Sequence, residues 1–233
     1  MIHDDTATPS AVSIGQPTSF PGNFPGRGIK VNFGCFDQNL PGWQNIDNCL
    51  RHIVVHRIPG LPFLLHEFGL LTKERYLEHK RGRFKNLKYG DARRRLTFPS
   101  NSVKCIYTSH MLEHLYPEDA IAFLRECHRI LLPRGLMRIL IPDLERAVRN
   151  YCANLSDSER RLHALRKLVY VFFPLNGREK YGHRWMYDFS SLACILEETG
   201  FRTVRQAGFR QGECPDCEVL DRDPESLFVE ATK

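Results

Sequence analysis

The sequence predicts an α/β domain built on a largely parallel sheet. Its clearest unit lies between Phe98 and Asp143, where a β-branched run from Val103 to Tyr107 has the composition of a buried strand. A helix with one apolar face is predicted from Pro117 to Leu132, and a second apolar strand from Leu136 to Ile141. A strand, a crossover helix and a strand make a parallel βαβ unit, and ligands of such sheets bind beyond the carboxyl ends of the strands.

The same alternation of strands and helices continues on both sides of this unit. Short strands are predicted upstream at Ile29–Phe33, Gln44–Asp47 and Leu87–Tyr89. Downstream, helices are predicted over 144–155, 158–172 and 189–199, with Asp143 and Ser156 as the N-caps of the first two and Gly200 as the C-cap of the third. Two closing strands are predicted over 201–207 and 227–231.

The chain is predicted to consist of an N-terminal arm and one folded domain that contains an insert. Residues 1–27 are rich in Pro, Gly, Ser and Thr and are predicted to form a disordered or loosely attached arm, and the folded domain spans 28–233. Within this domain, residues 50–86 have the character of a helical insert. We expect a loop from Ile58 to Phe63 and one helix from Leu64 to Lys80 in this insert.

Composition narrows the class of protein. No run of about 18 apolar residues occurs, and the first ten residues lack the basic and apolar regions of a secretory signal. Eight cysteines scattered through predicted strands and helices are typical of reduced core thiols in a cytoplasmic protein. Cys214 and Cys217 form the only close pair, and a structural zinc site needs about four ligands, so no metal site is expected.

The net charge of +6 comes mainly from two basic runs, Lys80–Lys85 and Arg93–Arg95. Such runs can meet phosphates, an anionic membrane or nucleic acid, but most are solvated faces. Because no recognition helix or aromatic-basic repeat accompanies them, nucleic acid is not expected as a partner.

Five segments, taken in order, resemble a class I S-adenosylmethionine-dependent methyltransferase of the compact type-11-like family often associated with surface-glycan biosynthesis. They are VNFGCFDQNLPGWQNID (31–47), DARRRLTFPSNSVKCIYTSHMLEHL (91–115), LRECHRILLPRGLMRILIPDL (124–144), RWMYDFSSLACILEETGFRTV (184–204) and SLFVEATK (226–233). The resemblance implies a Rossmann-like methyltransferase fold with a mostly parallel sheet, flanking helices and a helical insert. It also implies S-adenosylmethionine as the cofactor, with methyl transfer to an oxygen or nitrogen acceptor.

The resemblance further implies which residues hold the cofactor. Gly34, after the first strand, lets the backbone approach the cofactor, because a side chain there would collide with it. The carboxylate of Asp47 accepts hydrogen bonds from the ribose hydroxyls, and Asp91 reaches the adenine amine. The full predicted set is Phe33, Gly34, Cys35, Asp47, Asp91, Ala92 and Ser109. From the residues alone, Asp47 and Asp91 could each instead cap a local turn.

One residue departs from the family pattern. The motif expects Gly-Cys-Gly, and this chain has Gly34-Cys35-Phe36. Either the turn is displaced and Phe36 packs aside, or the pocket is altered or lost. The second alternative leads to a different function, a degenerate methyltransferase-fold protein that acts as a binding or scaffolding partner.

The predicted catalytic and acceptor-binding residues lie in two places, the loop after the fourth strand and a later polar-aromatic segment. His110 and His114 are the catalytic candidates, since an imidazole is a suitable general base for a hydroxyl acceptor. His183 and Tyr187 are the candidates for acceptor binding. Each has a structural alternative: a strand-end hydrogen bond for His110, an anchor of the helix start for His114, and a packed cover over the sheet edge for the other two.

A sugar or a lipid-linked glycan is the acceptor that the resemblance favours, and other small-molecule acceptors stay open. The apolar stretches 61–71 and 168–175 are suited to a lipid-linked acceptor or to peripheral contact with a membrane. Core packing or contacts within a homodimer are the more common explanation of such stretches.

Overall fold

A seven-stranded sheet forms the centre of the protein, whose computed structural model describes residues 28–36, 38–173 and 182–233. The strands are β1 (Ile29–Phe33), β2 (Gln44–Asp47), β3 (Leu87–Tyr89), β4 (Val103–Ser109), β5 (Leu131–Pro142), β6 (Thr203–Ala207) and β7 (Ser226–Thr232). Their order is β3-β2-β1-β4-β5-β7-β6, and β7 is antiparallel to both of its neighbours. The predicted Rossmann-like fold with a mostly parallel sheet is confirmed, while the predicted arm of residues 1–27 lies outside the described residues.

Helices flank the sheet. In the described part of the chain they are α1 (Leu50–Arg57), α2 (Leu61–Glu67), α3 (Lys73–Lys80), α4 (Pro117–Ile130), α5 (Leu144–Ala153), α6 (Ser158–Phe172), α7 (Phe189–Glu198) and α8 (Cys217–Leu220), with a 3₁₀ turn at Leu112–His114. None of these described helices combines the length and the apolar character that crossing a bilayer requires.

The larger core lies between one face of the sheet and helices α4 and α7. Helix α4 buries Ala120, Phe123, Leu124, Cys127 and Ile130, whose spacing of three and four residues puts them on one face. Burying a large aliphatic or aromatic side chain contributes roughly 1.5–3 kcal/mol. This apolar stripe explains why the helix could be predicted, although it ends at Ile130 because the next residue already belongs to β5.

The opposite face of the sheet is covered mainly by loops. The chain passes from β1 to the parallel β2 through residues 34–43, and the described residues of this connection contain no helix. Side chains from the loop before β7 cover the face instead, and the resulting second core consists of Trp43, Cys105, Tyr107, Leu136, Leu140, Cys214, Cys217, Leu220 and Phe228.

A buried arginine fastens that covering loop to the sheet. Arg138 of β5 is fully buried and forms ion pairs with Asp221 and with Glu230 of β7. Its guanidinium also donates to the carbonyl oxygens of Gly208 (2.9 Å) and Gln211 (3.0 Å). Since a buried charge is stable only when it is paired and hydrogen-bonded, this network fixes the loop in one position.

The predicted insert, residues 50–86, forms the crossover from β2 to β3. The prediction of a single helix from Leu64 to Lys80 is wrong, as is the predicted loop over 58–63, because α2 begins at Leu61. The chain breaks between α2 and α3, where Gly69 adopts a left-handed φ of 68° and Thr72 caps α3 by accepting the Arg75 N–H. A small third core of Cys35, Ile53, Phe84 and Leu87 joins the insert to the sheet.

Three further predictions can be compared with the structure: two helix caps and the state of the cysteines. Asp143 caps α5 as predicted, since its side chain accepts the Arg146 N–H. Ser156 is the wrong cap of α6, because Asp157 accepts the N–H groups of Glu159 and Arg160. All eight cysteines are free and five are buried, which agrees with the prediction of reduced core thiols.

Candidate functional site

The turn after β1 is shaped by close packing against a neighbouring loop. Gly34 has a φ of 72°, and a Cβ on it would lie 2.7 Å from Cγ of Met111. Its N–H and that of Cys35 both donate to the carbonyl oxygen of Ile46, at 2.8 and 3.2 Å. The glycine is therefore required by the protein's own packing and by its left-handed backbone, a reason that the motif alone did not provide.

Phe36 continues this turn with a left-handed φ of 42°. Its ring makes edge contacts with His52 and Phe84, and the guanidinium of Arg75 lies 4.9 Å from the ring centroid. All three partners belong to the insert. The Phe36 ring thus packs on the insert, while its effect on the cofactor pocket stays a matter for the binding experiment.

Asp47, the last residue of β2, is buried and holds the turn from the other side. Its Oδ2 accepts the Phe36 N–H at 2.9 Å and its Oδ1 accepts the Cys49 N–H at 2.9 Å. Each carboxylate oxygen has two lone-pair positions, so acceptor capacity remains for a ligand hydroxyl. Burial and the nearby Asp47 charge raise the pKa of Cys49 to about 12 and that of Cys35 further, which keeps both thiols protonated.

Asp91 and Ala92 follow β3. The Asp91 carboxylate accepts from the Arg93 side chain at 2.8 and 3.0 Å and from the Arg93 N–H at 3.0 Å. Hydrogen bonding to Arg93 is the main reason that the pKa of Asp91 is lowered. The local turn that was the alternative for Asp91 is thus present, whereas Ala92 is buried in the main core together with Phe33.

His110 lies directly after β4, next to Ser109, the last residue of that strand. Its backbone is left-handed, with a φ of 49°, and its N–H donates to Leu140. Non-glycine residues in this conformation are uncommon and cluster at functional sites. Because Met111 packs on Gly34, the His110 loop and the glycine turn are direct neighbours.

The His110 ring is surrounded by polar groups. Its Nε2 lies 2.9 Å from Ser226 Oγ and 3.9 Å from the Asp223 carboxylate, and its Nδ1 lies 3.2 Å from Glu113 Oε1. Burial by itself would lower the pKa of His110, but the Glu113 carboxylate, with a further contribution from Asp223, raises it above its usual value.

His114 and His183 contact each other, and the Glu113 carboxylate acts electrostatically on both His183 and Tyr187. The rings of His114 and His183 have centroids 4.9 Å apart and meet edge to face. Tyr187 is buried, its hydroxyl has no hydrogen-bond partner among the described residues, and burial followed by the Glu113 charge raises its pKa to about 12. Burial also lowers the pKa of His183.

The structure therefore gathers the predicted residues into two groups. Phe33, Gly34, Cys35 and Asp47 surround the turn after β1, and Ser109, His110, His114, His183 and Tyr187 surround the loop after β4. Asp91 and Ala92 stand at the end of β3 on the far side of β2. Sequence reasoning missed Glu113, Asp223 and Ser226. Glu113 adjoins His114 in the sequence, but nothing in the pattern indicated that its side chain is fully buried.

A large open cavity borders the second group. Its volume is about 1060 Å³ and it lies between α5 and α6, with His110 at one side. Its lining combines charged side chains such as Arg146 and Arg166 with the aromatic ring of Tyr170. Ligand pockets of roughly 300–1,000 Å³ are typical of small molecules, so this cavity has room for an acceptor of that size or larger.

Strand order and connectivity define a Rossmann-like α/β domain, in which Gly34, Asp47, Asp91 and His110 follow the carboxyl ends of β1 to β4. Comparison with known families gives one match. Residues 68–139, about a third of the chain, match the Methyltransf_11 family model, which is described as a methyltransferase domain. The matched stretch contains Asp91, His110 and His114, and it begins after Gly34 and Asp47. No curated protein matches the sequence.

Several solved structures are similar over most of the chain at low sequence identity. A SAM-dependent methyltransferase from Thermotoga maritima, called a "possible histamine N-methyltransferase", is 17% identical with a TM-score of 0.48, and the alignment covers 91% of this chain and 84% of that one. SAM-dependent methyltransferases from Archaeoglobus fulgidus (16% identity, TM-score 0.45, covering 88% and 86%) and Aquifex aeolicus (13%, 0.44, covering 88% and 81%) are also similar.

Proposed function

We propose that the protein transfers a methyl group from S-adenosylmethionine to an oxygen or nitrogen acceptor. One observation carries the proposal: Gly34, Asp47, Asp91 and His110 follow the four adjacent parallel strands β1 to β4. Parallel strands end at one edge of the sheet, and that edge is where such folds bind their ligands. The methyltransferase domain match over residues 68–139 supports the same function.

The cofactor is assigned to the first group of residues together with Asp91 and Ser109. Asp47 would accept the ribose hydroxyls through the lone pairs that its two backbone hydrogen bonds leave free. Asp91 would receive the adenine amine, which requires the Arg93 side chain to share or leave the carboxylate. Cys35 and the Gly34 turn would line the cofactor, and Ser109 would border its methionine end.

The second group is assigned to the acceptor and the reaction. Methyl transfer from a sulfonium depends mainly on proximity and in-line alignment, and a general base helps only where the acceptor must lose a proton. His110 is suited to that task because Glu113 and Asp223 stabilise its protonated form. His114 would flank the same centre, and His183 and Tyr187 would contact the acceptor.

A sugar hydroxyl, free or on a lipid-linked glycan, is the acceptor class to test first. The cavity beside His110 supports an acceptor of this size. A lipid-linked acceptor or peripheral membrane contact is supported by a patch of exposed apolar side chains on α2 and the turn after it, namely Phe63, Leu64, Phe68 and Leu70.

Calorimetric titration of the purified protein with S-adenosylmethionine and S-adenosylhomocysteine tests the proposal. We expect micromolar binding, followed by release of S-adenosylhomocysteine when glycan or lipid-linked acceptors are added. In His110→Gln, we expect cofactor affinity to persist while the rate of release falls by about 10²–10⁴-fold. A folded protein that binds neither compound would overturn the proposal and favour the scaffolding alternative.

A further inference from the structure

Three side chains with metal-binding atoms meet on the reaction side of the sheet. One carboxylate oxygen of Glu113 and one ring nitrogen from each of His114 and His183 all lie within 4.8 Å of one another. In a tetrahedral zinc site with bonds near 2.0–2.2 Å, ligand atoms are roughly 3.4 Å apart. The ligand atoms of this cluster are thus at most slightly farther apart than in a zinc site, and small side-chain rotations would bring them to that spacing.

Apart from the His110 ring, the buried Glu113 carboxylate has little polar compensation among the described residues. The residue is fully buried, and neither carboxylate oxygen has a hydrogen bond of good geometry. Within residues 28–36, 38–173 and 182–233, its one ion-pair partner is the His110 ring, which is charged only when protonated. Burial of a carboxylate with so few polar partners is unfavourable, and the His110 ring offsets it only in part. A cation at this position would remove that cost.

Both histidines are oriented by a hydrogen bond through Nδ1. His183 donates its Nδ1–H to the carbonyl oxygen of Val171, and His114 Nδ1 lies 3.4 Å from the carbonyl oxygen of Gly182. A carbonyl oxygen can only accept, so Nδ1 is the donor in each ring and Nε2 is the nitrogen available to a metal. Metal-binding histidines are typically oriented by such a bond from the other ring nitrogen.

The backbone fixes the spacing of these ligands. The Glu113 carbonyl oxygen accepts the N–H groups of Arg184 (2.7 Å) and Trp185 (3.2 Å). These bonds attach the segment that carries His183 to the 3₁₀ turn that carries Glu113 and His114. The three ligands are therefore brought together by the main chain, independently of any bound ion.

We propose that Glu113, His114 and His183 bind one zinc ion, or a similar divalent transition metal, with a coordination position left open. Two imidazoles and one carboxylate are a ligand set suited to zinc, and three protein ligands are typical of sites that keep one position for water or substrate. His114 is exposed to solvent, so the open position is accessible.

A metal at this position would bind the acceptor hydroxyl and lower its pKa, so that the attacking oxygen loses its proton more readily. This role rests on the proposed methyl transfer, whereas the metal site itself does not. The two inferences therefore need separate measurements.

The test uses the full chain without a histidine tag, stripped with a chelator and titrated with Co²⁺ and Zn²⁺. Calorimetry and the visible absorption of Co²⁺ report stoichiometry and ligand type. The ligand variants are Glu113→Gln, His114→Ala and His183→Ala. The matched controls are His79→Leu in the insert histidine cluster and Cys214→Ser in the buried thiol pair Cys105–Cys214, two other places where histidine or cysteine side chains lie together in the described part of the chain.

We expect one equivalent of metal in the wild type, a nitrogen- and oxygen-type Co²⁺ spectrum, and an increase in Tm with Zn²⁺. Each ligand variant is expected to bind metal about tenfold or more weakly and to lose the Tm increase. Both controls are expected to keep the wild-type metal affinity and the Tm increase. Absence of binding to folded wild type, unchanged binding in Glu113→Gln, or loss of binding in Cys214→Ser would overturn the site. If the protein binds metal but not the cofactor, the metal site is supported and the proposed methyl transfer is rejected.

Discussion

The N–H of Phe36 donates to Oδ2 of Asp47 at 2.9 Å, so the residue that departs from the glycine motif is held by the residue assigned to the ribose. The ring of Phe36 packs on the insert at the same time. The insert, the turn after β1 and the end of β2 thus form one structural unit. A change in any of the three should be transmitted to the cofactor position.

Replacing Asp47 tests this unit. Asp47→Ala is expected to abolish measurable binding of S-adenosylhomocysteine, because the ribose loses its acceptor and the N–H groups of Phe36 and Cys49 lose theirs. Leaving such donors unsatisfied costs about 1–3 kcal/mol each, so the Tm should also fall. Calorimetry and a thermal melt measure both effects.

A matched control separates the two effects. Asp157→Ala removes the half-buried N-cap of α6, which is expected to cost about 1 kcal/mol of stability without weakening the binding of S-adenosylhomocysteine. If Asp47→Ala binds S-adenosylhomocysteine as tightly as this control does, Asp47 has only a structural role.

Gly34→Ala is expected to destabilise the protein by about 2–3 kcal/mol. The left-handed backbone at φ 72° costs about 1–2 kcal/mol for a residue with a Cβ, and the contact with Met111 at 2.7 Å adds to it. Because the added Cβ would also lie 2.8 Å from the Met111 Cβ, Met111→Gly is needed to remove the contact, and adding it to Gly34→Ala should relieve the clash but not the backbone strain. Urea unfolding of the four proteins in this cycle gives the coupling energy, and strictly additive losses would show that the two side chains do not compete for space.

How far the sequence leads can be judged from individual residues. The apolar period of α4 and the β-branched composition of β4 report burial directly, so these elements were predicted nearly to the residue. Gly69 is a usual residue at a helix end and Thr72 a usual residue at a helix start. The apolar periodicity that continues through both concealed the break between α2 and α3. Glu113 could not be identified, because its burial depends on the segment around Arg184, which is 71 positions further along the chain.

The buried arginine gives a prediction about stability. Arg138→Met removes the counter-charge of buried Asp221 and leaves Glu230 paired with Arg205, so we expect a loss of about 3–5 kcal/mol in the free energy of unfolding. Arg149→Met, which removes an exposed pair with Glu145, should change it by less than about 1 kcal/mol. An equal effect of the two substitutions in urea unfolding would contradict the importance assigned to the Arg138 network.

The insert should be destabilised by acid through His79. Its side chain is buried beside His52 and His56, and its Nδ1 has no hydrogen-bond partner among the described residues. Burial, followed by these two neighbours, lowers the pKa of His79 to about 4, whereas an unfolded histidine titrates near 6.5. Between pH 6.5 and 4 the unfolded state therefore binds more protons than the folded state. The contribution of His79 to stability is complete above pH 6.5 and is lost as the pH falls.

The size of this effect follows from linkage. Between pH 7.5 and pH 5, the His79 contribution to the free energy of unfolding should fall by about 2 kcal/mol. His79→Leu removes the titrating group. Between pH 7.5 and pH 5 the variant should therefore lose about 2 kcal/mol less of its free energy of unfolding than the wild type loses. His163→Leu, which changes an exposed histidine of α6, should retain the wild-type pH dependence. Urea unfolding at the two pH values measures the difference, and parallel curves for the wild type and His79→Leu would mean that His79 is protonated equally in the folded and unfolded states.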